Sequence, residues 1–164
     1  MDMESLKDLF IEELKDLYSA ENQILKALPK MIKKATAPEL KSGFEQHLKE
    51  TQAHVERLEK IFQELELSPK GKKCKGMEGV IADGKELMEQ DADADVMDAG
   101  LIGAAQHVEH YEMAGYGCVR TYAELLGHND FARMLQKTLD EERATDEKLT
   151  ELARNINVEA EKAA

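Results

Sequence analysis

Residues 101–123, LIGAAQHVEHYEMAGYGCVRTYA, carry the strongest indication of fold class in this sequence. The apolar and small residues of this stretch recur at intervals of three and four, which places residues such as Ile102 and Ala105 on one face of an α-helix. Glu109 and Glu112 lie on that same face. The stretch therefore predicts a helix that faces the core and carries two carboxylates into it.

Three other segments repeat this period, and no run of alternating β-branched residues interrupts them, so the sequence predicts an all-α fold. Ser5 is followed by Asp8, and Thr36 by Glu39, spacings that are typical of a helix N-terminus. Pro29 should kink the first helix or end it early. The four long helices are predicted at about 5–34, 36–65, 95–126 and 129–157, with the tail after them frayed.

The segment 67–94 differs from the rest because it contains Pro69 and several glycines. Its short apolar pattern indicates one or two short helices packed across the bundle. The segment is too long for a hairpin and could run the length of the bundle, as the long crossover does in ferritin-like folds. We therefore predict a four-helix bundle with a long crossover, forming a single domain over 1–164.

Composition excludes several classes of partner. The chain of 164 residues has a formal net charge of −12, so it should repel a polyphosphate backbone, and we expect no nucleic-acid partner. No apolar run approaches the roughly 20 residues that span a bilayer, and the first residues are charged. We expect a cytoplasmic protein with no membrane partner and reduced thiols, with a Cys74–Cys118 bridge as the less favoured alternative.

One basic run stands out in this acidic chain. The sequence KGKKCK, residues 70–75, carries four lysines in a segment with glycine. A solvated connector is the favoured interpretation of such a charge run, and binding of an anion or a protein partner is the alternative.

Each long helix carries acidic residues on or beside its apolar face, near the middle of the helix. These residues are Glu21, Glu50, Glu109, Glu112 and Glu142. A buried ionised carboxylate is costly, and several together repel one another, unless they are protonated, paired with cations or bound to metal. No lysine or arginine interrupts the apolar faces at this level. Metal binding is favoured, while a solvated helix face remains the alternative for any single glutamate.

The histidines and tyrosines leave more alternatives open. His47 and His54 lie on the core face of the second helix, where a metal ligand and a hydrogen-bonded core histidine are equally expected. Asp146, one turn after Glu142, is either a partner of the ligands or a surface residue. The predicted metal ligands are Glu21, Glu50, His54, Glu109, Glu112 and Glu142, with His47 and Asp146 as weaker candidates. Hydrogen bonds to these carboxylates are an alternative to simple packing for Tyr18, Tyr111 and Tyr116.

Several strings resemble the YciF-type stress proteins, a family of the ferritin-like superfamily. The strings are DLYSAENQ (16–23), HLKET (47–51), CKGMEG (74–79), EHYEMAGYG (109–117) and LDEERATDEKL (139–149). The resemblance covers nearly the whole chain. It implies a ferritin-like bundle, a homodimer, a link to bacterial stress and a rubrerythrin-like site that holds two metal ions, with iron favoured and manganese or zinc as alternatives.

The chain departs from the superfamily pattern of Glu-x-x-His on two helices. Ala53 stands three residues after Glu50, and Thr145 stands three residues after Glu142. His54 is displaced by one position. A site richer in carboxylates would follow, or one in which a metal position is weak or empty.

Three functions are compatible with this sequence. The first is a di-metal protein that reacts with peroxide or dioxygen, which would make it a peroxidase- or oxidase-type enzyme. The second is a non-catalytic stress protein that binds metal weakly or for structure. The third, iron storage in a large shell, is the least favoured because nothing in the sequence encodes such an assembly.

Overall fold

The computed structural model describes residues 3–163, which form five α-helices and no strand. The elements are α1 (Leu6–Lys34), α2 (Pro38–Glu64), α3 (Lys75–Met88), α4 (Ala94–Leu125) and α5 (Asn129–Lys162). The prediction of an all-α bundle with four long helices is confirmed. The crossover contains a single short helix, α3.

The four long helices form two antiparallel hairpins that pack against each other. α1 pairs with α2 and α4 pairs with α5, while α1 also packs on α4 and α2 on α5. The start of α2 contacts the start of α4, because the backbone N–H groups of Thr36 and Ala37 donate to Asp98 at 2.8 and 2.7 Å. α2 and α4 are therefore parallel, which requires the connection between them to return along the bundle.

The crossover makes this return by laying α3 against α4 and α1. Leu87, near the end of α3, packs beside Gly100 near the start of α4, and Gly76 lies beside Tyr111 further along α4. A Cβ atom added to Gly76 would meet the Tyr111 ring at 2.6 Å. Glycine is required at this position because the ring and the α3 backbone approach so closely.

The N-terminal cap predicted from the sequence is present in α1 but not in α2. The Ser5 hydroxyl caps α1 by accepting from the Asp8 N–H at 3.2 Å, as predicted. The capping box of Thr36 and Glu39 is wrong, since α2 has no side-chain cap. The Thr36 hydroxyl donates instead to Asp98 at 2.6 Å. A buried aspartate from another helix has taken over the role of the local cap.

Two helices run further than their sequence signals indicate. α1 continues through Pro29 to Lys34, because Leu28 and Met31 on either side of the proline are buried in the core. α5 continues past the expected end at 157 to Lys162. Among the residues predicted to fray, 158–162 are thus helical, and Ala164 lies outside the described residues.

The two cysteines are free, with Cys74 buried and Cys118 exposed, so the disulfide alternative is wrong. Cys74 caps α3 through its sulfur, which accepts from the Met77 N–H at 3.4 Å.

The hydrophobic core is divided into two halves along the bundle. One half surrounds Ile24, Phe44 and Leu101, and the other surrounds Phe10, Leu58 and Leu135. A layer of buried polar side chains lies between them. No helix in the described part of the chain is both long and apolar enough to cross a membrane.

Candidate metal centre

The layer between the two halves of the core receives side chains from all four long helices. They are buried to 3% exposure or less: Glu21 from α1, His47 and His54 from α2, Glu109 and Glu112 from α4, and Glu142 from α5. The mid-helix positions converge here because antiparallel helices of similar length bring their centres to one level. This polar layer contains five of the six residues predicted as ligands and the weaker candidate His47.

The ligand atoms fall into two groups, which we name by their surroundings. In the enclosed subsite, His54 Nδ1 lies 2.9 Å from Glu142 Oε1 and 3.4 Å from Glu21 Oε1. In the open subsite, His47 Nε2 lies 2.9 Å from Glu109 Oε1, and Glu112 and Glu142 complete the group. One ligand atom from each member lies within 4.8 Å of the others in its group. Glu142 belongs to both subsites.

Most of these ligand atoms have no hydrogen-bond partner although water does not reach them. Both oxygens of Glu112 and of Glu142 are unpartnered, as is one oxygen each of Glu21 and Glu109. The ring nitrogens of His47 and Nδ1 of His54 approach carboxylates without the alignment of a hydrogen bond. Buried polar atoms are normally paired, so this concentration at one point fits a site for cations. Carboxylate oxygen and imidazole nitrogen suit iron, manganese or zinc.

Where no cation is bound, protons would balance part of the charge of this layer. Burial and the neighbouring carboxylates raise the pKa values of Glu109 and Glu112 well above the ordinary value. Burial would also raise the pKa of Glu142, but contacts with His54, Glu109 and His47 outweigh it and lower the value to about 2. Burial lowers the pKa of His54, while Glu142 and Glu21 together raise it to about 10. Divalent cations would compete with these protons for the same atoms.

A second set of groups holds the enclosed subsite in place. His54 Nε2 lies 3.0 Å from Glu141, so its Nδ1 is left to face Glu21 and Glu142. Glu141 is held in turn by the Arg57 guanidinium through two hydrogen bonds of 2.5 and 2.9 Å. The buried Tyr116 hydroxyl donates to Glu21. A carboxylate that holds one ring nitrogen of a histidine in this way fixes the orientation of a metal-binding imidazole.

Arg57 and Glu141 could not be predicted from the sequence, because both lie beside the apolar faces of their helices, where charged residues are normally solvated. The spacing of Arg57 three residues after His54 places the two on neighbouring positions of α2. Only the packing of α5 on α2 brings Glu141 between them.

Two predicted residues lie outside the polar layer. The side chain of Glu50 is 28% exposed and accepts from Gln46 at 2.8 Å, with Thr145 at 3.4 Å. It borders the core face of α2 and turns toward α5. Asp146 accepts from Gln106 at 3.1 Å. His110, the other residue near Asp146, lies 3.3 Å away and is exposed. Of the three tyrosines, Tyr116 alone bonds to a carboxylate of the layer, since Tyr18 donates to Glu59 and Tyr111 to Asp16.

Two cavities reach the layer, and both end on His47 and Glu109. The first cavity, of about 280 Å³, lies between α1, α3 and α4. The second, of about 780 Å³, lies between α2 and α5 and is lined by Glu39, Glu50 and Glu141 among others. Neither cavity is lined by Glu21 or His54. The open subsite is thus accessible from two sides, and the enclosed subsite from neither of these cavities.

Fold and site together define a class of protein: a four-helix bundle with a long crossover and a central buried layer of carboxylates and histidines. The family model "Domain of unknown function (DUF892)" matches residues 5–162. The chain belongs to this family.

Relatives and solved structures agree with this assignment. Protein YciF of Escherichia coli (strain K12) is 45% identical over 166 residues, covering 100% of both chains. The crystal structure of the E. coli stress protein YciF superposes with a TM-score of 0.91 at 44% identity, covering 94% of this chain and 98% of that one. YcfI of Rhodopseudomonas palustris gives a TM-score of 0.88 at 44% identity, covering 91% and 95%. The resemblance to YciF-type stress proteins is confirmed.

A more distant likeness extends the fold beyond close relatives. The protein XCC3681 of Xanthomonas campestris superposes with a TM-score of 0.76 at 22% identity, covering 94% of each chain.

Proposed function

We propose that this protein binds two divalent metal ions in the polar layer, with iron favoured, and reacts there with peroxide or dioxygen. The observation that carries the proposal is the set of unpartnered, fully buried ligand atoms that converge on Glu142 from four helices. A solvated helix face is no longer an alternative for these glutamates, because each is at most 1% exposed. Manganese and zinc remain compatible with the same donors.

The two subsites share one carboxylate in a way that suits a bridged pair of ions. Glu21, His54 and Glu142 would hold one ion, and His47, Glu109, Glu112 and Glu142 the other. Both oxygens of Glu142 are unpartnered, so each can serve one subsite. A pair of iron ions, when bound, supplies the one-electron and oxygen chemistry that side chains lack.

The surrounding residues prepare the layer for this role. Glu141 holds His54 Nε2, which keeps Nδ1 directed at Glu21 and Glu142. The Tyr116 hydroxyl orients one oxygen of Glu21. His47 and Glu109 lie where both cavities end, so a small oxidant would meet the open subsite first. The second cavity carries Glu39, Glu50 and Glu141 against one lysine, Lys148, and its net negative charge would attract incoming cations.

Anaerobic titration of metal-free protein with ferrous ion tests the proposal directly. We expect uptake of about two equivalents per chain, followed by oxidation of the bound ions when hydrogen peroxide or dioxygen is added. Uptake of less than about one equivalent would overturn the metal centre. Full uptake with no faster oxidation than ferrous ion in buffer would overturn the reactivity alone.

A structural role is the second candidate function. It is favoured by the missing histidines at Ala53 and Thr145, and the relative from R. palustris is described as a proposed structural protein. In this case the layer would bind metal weakly, and metal would raise the stability of the fold without turnover. Peroxide turnover that is lost in Glu109→Ala would decide against this candidate.

For the assembly and setting we propose a homodimer in the bacterial cytoplasm that takes part in a stress response. The close relative YciF is named a stress protein. On α4, Cβ atoms added at Gly103 and Gly117 would meet nothing within 4 Å, so another helix could approach this flank. Sedimentation at micromolar concentration should give the mass of a dimer. A monomer, or a large shell of many subunits, would contradict the proposal.

A further inference from the structure

The cavity between α1, α3 and α4 has walls that a small oxidant does not need. Its volume of about 280 Å³ is close to the lower end of the range for small-molecule pockets. The walls are mainly aliphatic, with Ile24, Leu28, Met31, Val80, Ile81 and Val108 among them. Such walls stabilise an apolar chain by removing it from water.

The rim of this cavity is basic in a chain whose net charge is −12. Four lysines line this rim: Lys26 and Lys30 of α1, Lys73 of the loop before α3, and Lys85 of α3. Lys73 and Lys85 form exposed ion pairs with acidic neighbours on the crossover, which contribute little stability. Lys26 and Lys30 are exposed, and no ion pair of theirs is found among the described residues. The rim can therefore attract an anionic group.

The inner end of the cavity has the opposite character. It reaches Glu109 and His47, which are buried and carry unpartnered polar atoms. An ionised carboxylate is costly to bury at this depth, whereas at the exposed lysines of the rim it stays in contact with water and with positive charge. An amphipathic anion would therefore enter with its charged end at the lysines and its apolar end toward the open subsite.

We propose that this cavity binds an aliphatic monocarboxylate of medium chain length, with the carboxylate at Lys26 and Lys30 and the chain directed toward His47 and Glu109. The run KGKKCK thus contributes Lys73 to a binding site instead of forming a solvated connector alone. The proposal does not rest on metal binding, although the cavity shares His47 and Glu109 with the open subsite and the bound chain would end beside them.

Calorimetric titration of the metal-free full chain with decanoate tests this proposal. We expect saturable binding of one decanoate per chain, about tenfold or more tighter than either acetate or decanol. Acetate carries only the charged group, and decanol carries the chain with a neutral end. Equal binding of decanol and decanoate would overturn recognition of the anion, and no saturable binding of decanoate would overturn the site.

Two pairs of variants locate the binding. The double substitution Lys26→Glu and Lys30→Glu should weaken decanoate binding about tenfold. The control, Lys60→Glu with Lys137→Glu, makes the same change in net charge at exposed lysines away from the cavity and should change affinity less than about twofold. An equal loss of decanoate affinity in both double variants would mean that net charge alone repels the anion, and would overturn the role of the rim lysines.

Filling the cavity provides the second test. Ala27→Phe, on a cavity wall, should abolish decanoate binding, whereas Ala82→Phe on the exposed face of α3 should not. Unchanged binding in Ala27→Phe would show that decanoate binds elsewhere. If Ala27→Phe fails to fold, the exposed lysine pair still decides the outcome. Ferrous uptake by the same variants is measured separately, so a failed metal centre and a failed ligand site are distinguishable.

Discussion

The enclosed and open subsites share Glu142 but differ in what surrounds their other ligands. In the enclosed subsite, Tyr116 bonds to Glu21, and Glu141 with Arg57 holds His54. In the open subsite, Glu112 has no partner for either oxygen, and His47 and Glu109 lie at the ends of two cavities. The ligands of the enclosed subsite are therefore held in a fixed geometry, whereas the ligands of the open subsite can be reached by small molecules through the two cavities.

The largest effect is expected from the residue that both subsites share. Glu142→Ala should lose nearly all tight ferrous uptake, because it removes a ligand from each group. Glu147→Ala, an exposed glutamate on the same helix, is the matched control and should keep about two equivalents. Metal analysis after gel filtration measures both. Retention of one full equivalent in Glu142→Ala would mean that the two subsites do not share this carboxylate.

Removing an unshared ligand should separate the subsites. Glu21→Ala and Glu112→Ala should each retain about one of two equivalents, since each belongs to a single group. The remaining ion should be removed by a chelator more slowly from Glu112→Ala, which keeps the enclosed subsite, than from Glu21→Ala, which keeps the open one. Chelator competition measures the exchange. Identical rates in the two variants would remove the distinction between enclosed and open.

A smaller effect is expected from the groups that hold His54. Glu141→Gln should weaken metal affinity by about 10- to 100-fold at the enclosed subsite and leave the open subsite unchanged. Glu50→Gln is the informative companion, because Glu50 was predicted as a ligand but lies outside the layer. It should keep full stoichiometry and slow the rate of ferrous uptake. Loss of an equivalent in Glu50→Gln would restore it as a ligand.

The smallest effect is a pH dependence of the metal-free fold. Glu109 and Glu112 have folded pKa values well above the ordinary 4.5, and the pKa of His54 is raised from 6.5 to about 10. The folded chain therefore binds more protons than the unfolded chain above neutral pH, so its free energy of unfolding falls as pH rises through this range. Glu142, with a pKa of about 2, contributes stability that is lost only in acid.

Urea denaturation at about pH 6 and about pH 9 measures this fall. Glu112→Gln should make the dependence shallower, because it removes one group that binds a proton on folding. Bound metal should reverse the trend, since protons compete with the metal for the same ligand atoms. A metal-free stability that rises between these two values would contradict the assignment of protons to the layer.

Much of the fold was predictable because helical periodicity is a local property of the chain. The face that carries Ile102, Ala105 and Glu109 is read directly from spacing, and the length of 67–94 requires a long return connection. Local signals failed where a distant residue intervened. Thr36 did not cap its own helix because Asp98 of α4 binds it, and Pro29 did not end α1 because its neighbours are packed in the core.

Position on the helix face was enough to predict that Glu21, Glu109, Glu112 and Glu142 point inward, because that position sets the direction of each side chain, whereas Glu50 only borders the face. How these side chains group depends on the distances between helices, which are set by packing and are not encoded in the spacing of residues along one helix. Packing between helices leaves Glu50 outside the layer and directs Nδ1 of His54 at Glu21 and Glu142. It also brings Glu141, which is held by Arg57, to Nε2 of His54. It also gathered lysines from α1 and the crossover at the rim of one cavity.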